Sequence, residues 1–172
     1  MSALDIGASW RRGWYGTGVD ADAVPTLDVA DRQRTAEAGG AEAAFSPYVP
    51  AEPDENIPYD LLQAREYYLT PRAQHPNAKN NYLMTESLSK IFAFDAFHLV
   101  EDLLTQPILT VAGSDAGSLW NSTGLHSRVR CNNSLVIVDG GTHMDFYDVP
   151  KYVDRALAEA TPSFNEHLGA RS

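Results

Sequence analysis

Apolar positions follow two different rhythms along this chain of 172 residues. Over residues 1–100 they recur at helical spacing and are broken up by proline and glycine. The spacing predicts a helix over Asp20 to Ala38, with Val24 and Leu27 about a turn from Asp31 and Arg34, and Gly39-Gly40 stopping it. Pro47, Pro50, Pro53 and Pro58 then punctuate an acidic connector that is expected to be extended. Tyr59 to Leu69 resumes as a helix carrying Leu61, Leu62, Tyr67 and Tyr68. It ends at Thr70-Pro71, because a residue before proline avoids the helical region. Thr85 to Phe92 reads as a further short helix, with Thr85 as N-cap and Leu88, Ile91 and Phe92 facing inward.

From Asp102 the pattern changes to strand, helix, strand, helix. Ile108 to Ala112 and Leu135 to Val138 are continuous apolar runs, the pattern of parallel strands covered on both faces. Ser122 to Arg130 is the expected crossover helix, weakened by Gly124. Asp148 is expected to cap a last helix with Pro150 in its first turn and a buried stripe of Tyr152, Val153, Ala156, Leu157 and Ala160. Pro162 is expected to bend or split that helix. The fold class is α/β, in two regions, 1–100 and 101–172.

Composition narrows the function. A net charge of -10 argues against nucleic-acid binding, which needs clustered Lys and Arg. No apolar run is long enough to span a bilayer, and the first residues lack the basic and hydrophobic regions of a signal peptide. The single cysteine, Cys131, excludes an internal disulfide and suits a reducing compartment, so a cytoplasmic location is expected. His143, Asp145 and Asp148 invite a metal reading, but their spacing does not match a helical His-x-x-x-His pair, and no metal site is assigned.

The chemistry sits at the strand ends. Ile108-Leu109-Thr110-Val111-Ala112-Gly113 delivers Asp115, and Leu135-Val136-Ile137-Val138 followed by Gly140-Gly141-Thr142 delivers His143. An acid after one parallel strand and a histidine after the next is how an α/β hydrolase builds two thirds of its triad. Further stretches fit in order: Ser2-Ala3-Leu4-Asp5-Ile6-Gly7 is similar to the end of a core strand, and Tyr67-Tyr68-Leu69-Thr70-Pro71-Arg72-Ala73-Gln74-His75-Pro76 resembles a helical cap motif. Phe94-Asp95-Ala96-Phe97-His98 leads into the acid strand, and Gly140-Gly141-Thr142-His143-Met144-Asp145-Phe146-Tyr147-Asp148 resembles a histidine loop.

On these residues the chain resembles the C-terminal portion of an α/β hydrolase of the branch related to dienelactone hydrolases and polyketide transferases. The resemblance implies a helical cap followed by the last two parallel strands and their helices, with the N-terminal sheet strands absent. It implies that His143 is the general base and that Asp115 is the acid, accepting the other imidazole N–H. No cofactor is implied.

No Gly-x-Ser-x-Gly nucleophile turn occurs, and in this fold the oxyanion donors also lie on earlier segments. Ser114, Ser118 and Ser122 lie near Asp115, but a serine in the acid turn lacks the strained elbow and adjacent donors of a nucleophile. The expectation is a partial hydrolase acting on a small ester or acyl substrate, inactive alone, prone to self-association, or complemented by an N-terminal hydrolase segment. The alternatives are a non-catalytic ligand-binding or regulatory module and one half of a split hydrolase. Trp10, Trp14, Tyr15, Tyr67 and Tyr68 either line a pocket or hold the cap together. His75, His98, His126 and His167 read as structural or surface residues, and Cys131 as inert.

Overall fold

The structure, a computed structural model, describes residues 6–12, 22–80 and 83–169. Its contacts divide it into two units, Ile6–Asp95 and a second that takes in the chain from Ala96 onward. Ser2 to Asp5 of the expected core strand, together with Trp14, Tyr15, Asp20, Ala21 and the side chain of Trp10, lie outside the described residues.

In the first unit Ile6 and Gly7 open a helix, α1 (Ile6–Arg12), where a strand end was expected. The next helix, α2 (Val24–Ala38), starts with proline in its first turn and stops where the two glycines predict. There the Gly39 N–H donates to the Thr35 and Ala36 carbonyls, and Gly40 takes a φ of 95° that only glycine adopts freely. The proline-rich connector holds a two-residue strand, β1 (Phe45–Ser46), before α3 (Tyr59–Leu69) forms over the expected residues. Asn80 pins the connector: its Oδ1 accepts from the Tyr48 and Val49 N–H groups at 3.0 Å each, and its Nδ2 donates to the Val49 carbonyl at 2.7 Å.

An antiparallel partner strand, β2 (Leu83–Met84), pairs with β1, a feature too short to leave any periodicity in the sequence. Thr85 does not cap a helix. It begins a 3₁₀ turn, its N–H donates to the Ala44 carbonyl at 3.1 Å, and α4 (Leu88–Ala93) starts three residues later. Gly7 lets α1 and α4 touch, because a β-carbon there would overlap the Phe94 carbonyl.

The second unit runs α5 (Val100–Leu103), β3 (Ile108–Gly113), α6 (Leu119–Arg128), β4 (Asn133–Val138), α7 (Asp145–Asp148) and α8 (Pro150–Leu168). The two strands are parallel and in register from Ile108 opposite Asn133 to Gly113 opposite Val138, so they end level. The crossover helix begins at Leu119, three residues before the expected Ser122. Val100, Leu125 and Val129 form a buried cluster, joined by Phe97, Leu104, Ile108 and Cys131, which packs α5 and α6 against the start of β3. Each such buried aliphatic side chain contributes about 1.5–3 kcal/mol. Arg128 closes the cluster with both Glu101 carboxylate oxygens (2.6 and 3.2 Å) and the Phe97 carbonyl (2.8 Å).

Four expectations are corrected here. Asp148 closes α7 and does not cap α8, whose N-cap is Val149 with no side-chain bond. Pro162 does not split the last helix: it lies at an exposed position inside α8, which runs on to Leu168. Coverage of the strands is incomplete among the described residues: Val138 is buried but Ile137, on the opposite face, is 50% exposed. Leu157, expected in the buried stripe of α8, is 56% exposed and shares a face with the exposed Phe164 and Leu168.

Candidate functional site

The level ends of β3 and β4 bring two turns together. Ser114 N–H donates to the Val138 carbonyl at 2.9 Å, and Asp115 N–H to the Gly141 carbonyl at 3.0 Å, so the strand ladder continues into the loops. The approach requires glycine at 113, and the packing of Phe146 and Tyr152 leaves little room for a side chain at 141. A β-carbon on Gly113 would overlap the Gly141 carbonyl, and one on Gly141 would lie 2.8 Å from the Phe146 ring. Gly140 turns the chain with a φ of 70°. Its N–H donates to Ser114 Oγ at 2.8 Å, and its carbonyl accepts from the Tyr152 hydroxyl on α8 at 2.8 Å.

His143 sits on this platform with both ring nitrogens engaged. Its Nδ1 lies 2.8 Å from the Oγ of Ser118, and its Nε2 lies 3.1 Å from the Tyr147 hydroxyl, one helical turn on. The Tyr147 ring also meets the imidazole edge-on, with centroids 5.6 Å apart. Ser118 is buried, whereas Tyr147 is exposed. Asp115 stands on the turn after β3, as its place in the sequence predicts. Its carboxylate is exposed and accepts from the Ser114 hydroxyl at 2.8 Å, while the bond at His143 Nδ1 is made by Ser118.

Asp145 accepts the Thr142 N–H at 2.9 Å and so shapes the histidine loop. Among the described residues no cluster of three or more His, Cys, Asp and Glu is arranged to hold a metal ion. Thr142 Oγ1, adjacent to His143 in the chain, is buried without a hydrogen-bond partner among the described residues. An orphaned hydroxyl of this kind costs about 1–3 kcal/mol. Serine at 118 was visible in the sequence, but its pairing with His143 carries no sequence signal, because it depends on how the acid turn enters α6.

The first unit has a cavity of about 520 Å³ lined by Phe45, Tyr48, Tyr68, Leu69, Lys79 and Asn80. Tyr68 meets the rings of Tyr48 and Tyr67 edge-on, at 6.2 and 5.0 Å between centroids. Burial, and then the neighbouring Tyr68, push the Tyr48 hydroxyl pKa up. No helix among the described residues is long and apolar enough to cross a membrane.

No family model matches the chain. It is 40% identical over 169 residues to the uncharacterized protein YcjY of Escherichia coli, covering 98% of this chain and 55% of YcjY. The crystal structure of protein PA2218 from Pseudomonas aeruginosa superposes with a TM-score of 0.83 at 24% identity, over 96% of this chain and 52% of that one. The α/β hydrolase GrgF from a Penicillium species superposes with a TM-score of 0.65 at 19% identity, over 86% of this chain and 50% of GrgF. The fold is α/β-hydrolase-like. The chain spans about half the length of the relatives that it matches.

Proposed function

We propose that this chain carries the histidine side of a serine hydrolase site that cleaves an ester or similar acyl bond. His143 is its general base. The observation that carries the reading is the paired-turn platform, in which Gly113, Gly140 and Gly141 hold the imidazole at the carboxyl ends of two parallel strands. In the reaction, Nε2 takes the proton of a serine hydroxyl as its oxygen attacks the acyl carbonyl. It then returns that proton to the leaving group, and water releases the acyl-enzyme. The Tyr147 hydroxyl, 3.1 Å from Nε2, occupies the place an incoming serine would take. Asp115, on the adjoining turn, is the acid of the reading, and its negative charge favours the imidazolium.

The reading makes the chain the C-terminal portion of a dienelactone-hydrolase-like enzyme of the cytoplasm, with the nucleophile and oxyanion donors supplied by a segment outside it. Two observations support a missing partner: the orphaned Thr142 hydroxyl beside the site, and the uncovered Ile137, Leu157 and Phe164. A complementing hydrolase segment or a second copy of the chain would cover that surface. The test is hydrolysis of a short-chain p-nitrophenyl ester by the purified chain and by His143→Ala. No turnover is expected from either; turnover that disappears in the variant would place a nucleophile within these residues and overturn the divided site.

The aromatic cavity in the first unit favours a second reading, a ligand-binding module derived from a hydrolase. It is distinguished by saturable binding of an acyl ester without turnover.

A further inference from the structure

We propose that the aromatic cavity of the first unit binds small carboxylates with an aromatic or acyl body, the Lys79 ammonium pairing with the carboxylate. The proposal rests on the ligand-binding reading of that cavity and deepens it by naming the ligand's chemistry. It is independent of His143, because every residue that lines the cavity belongs to the first unit.

Three observations carry it. The first is the surface on offer. Phe45, Tyr48 and Tyr68 are all exposed, and they line a cavity of about 520 Å³, the size of a small-molecule site. Aromatic rings left in water along a concave wall favour an apolar ligand body that covers them. The second is preorganisation. Asn80 holds one wall with its three hydrogen bonds to the backbone of Tyr48 and Val49. Tyr68 packs edge-on against both the Tyr48 and the Tyr67 rings. A ligand therefore meets side chains already in place, and little ordering opposes its binding.

The third observation is charge. Lys79 alone among the lining residues carries a full charge, and no Asp or Glu is among them. Lys79 makes no ion pair or hydrogen bond among the described residues. Arg72, by contrast, is paired with Glu66 and lies over the Tyr67 ring, 5.2 Å from its centroid. Burial, and then Tyr68, raise the Tyr48 pKa, so its hydroxyl stays neutral and does not repel an anion. Aromatic rings alone would suit a cation, but Lys79 opposes one. The chain as a whole, with a net charge of -10, disfavours anions, so selective uptake of one must come from this local cation.

The test is titration of the full ¹⁵N-labelled chain with 4-phenylbutyrate and with its neutral amide, followed by backbone amide shifts. The carboxylate is expected to move Tyr48, Tyr68 and Asn80 and to bind about fivefold tighter than the amide, the scale of a well-placed exposed ion pair. Lys79→Gln, at an exposed position, is expected to bring that ratio to about one. Tyr68→Ala should weaken both probes alike, and His143→Ala should change neither. A carboxylate preference that survives Lys79→Gln would overturn the proposal, as would shifts confined to the second unit. If the amide binds in the cavity as tightly as the carboxylate, the proposal fails and the ligand-binding reading stands. If neither probe moves these residues, both fail.

Discussion

At the scale of the residue, two glycines of the second unit answer to opposite constraints. Gly113 touches the Gly141 backbone, whereas a β-carbon on Gly124, inside α6, would meet nothing within 4 Å. Gly113→Ala must push the acid and histidine turns apart, an overpacking that costs about 1–3 kcal/mol. Gly124→Ala removes unfolded-state entropy at a helical position and stabilises by about 0.4–1 kcal/mol. Thermal melts of the two variants should therefore move in opposite directions, and equal shifts would contradict this account of the platform. Gly113 was legible in the sequence because it ends an apolar run. His143 was legible for a similar reason, since the chain after the second run has only a few residues to place at the strand end. The partner of its Nδ1 was not. Asp115 has the charge and the position that chemistry suggests, yet its carboxylate bonds Ser114, and a serine that reads as an ordinary turn residue reaches the ring.

At the scale of the element, the long periodic segments could be read and the short ones could not. Tyr59–Leu69 forms over the residues its pattern marks, between Pro58 and Pro71, and both strands lie on their apolar runs. The β1–β2 pair was invisible, because two residues carry no alternation and the pairing is set by tertiary contacts. In the expected stripe of α8, Tyr152, Val153, Ala156 and Ala160 are half-buried but Leu157 was misread, because an amphipathic pattern shows which residues share a face, not what covers it. The junction between α5 and α6 depends on charge. Hydrogen bonds from Arg128, with its positive charge, hold the Glu101 carboxyl down to about 2 from an ordinary 4.5. The folded carboxyl stays ionised at pH values where the unfolded one is already protonated. The stability it contributes is complete above about pH 4.5 and is lost as the pH falls toward 2. Glu101→Gln should lower the melting midpoint near neutrality, and its difference from wild type should shrink across that acid window. A difference independent of pH would contradict the ion pair's role.

At the scale of the whole molecule, the chain has the crossover and the two strands that set a histidine against an acid turn, and half the length of its relatives. The sheet at Ile137 and the α8 side chains Leu157, Phe164 and Leu168 lack a cover among the described residues, in a region where α/β folds normally bury both sides. The central claim is that this half positions the base for a nucleophile carried elsewhere. The most direct test is a chimera in which this chain replaces the matching 55% of YcjY, treated with a fluorophosphonate that labels activated serines. The account predicts labelling of a serine contributed by the YcjY portion, slowed by roughly a hundredfold or more in His143→Ala, the scale of a lost general base. Labelling that proceeds as fast without His143 would contradict it.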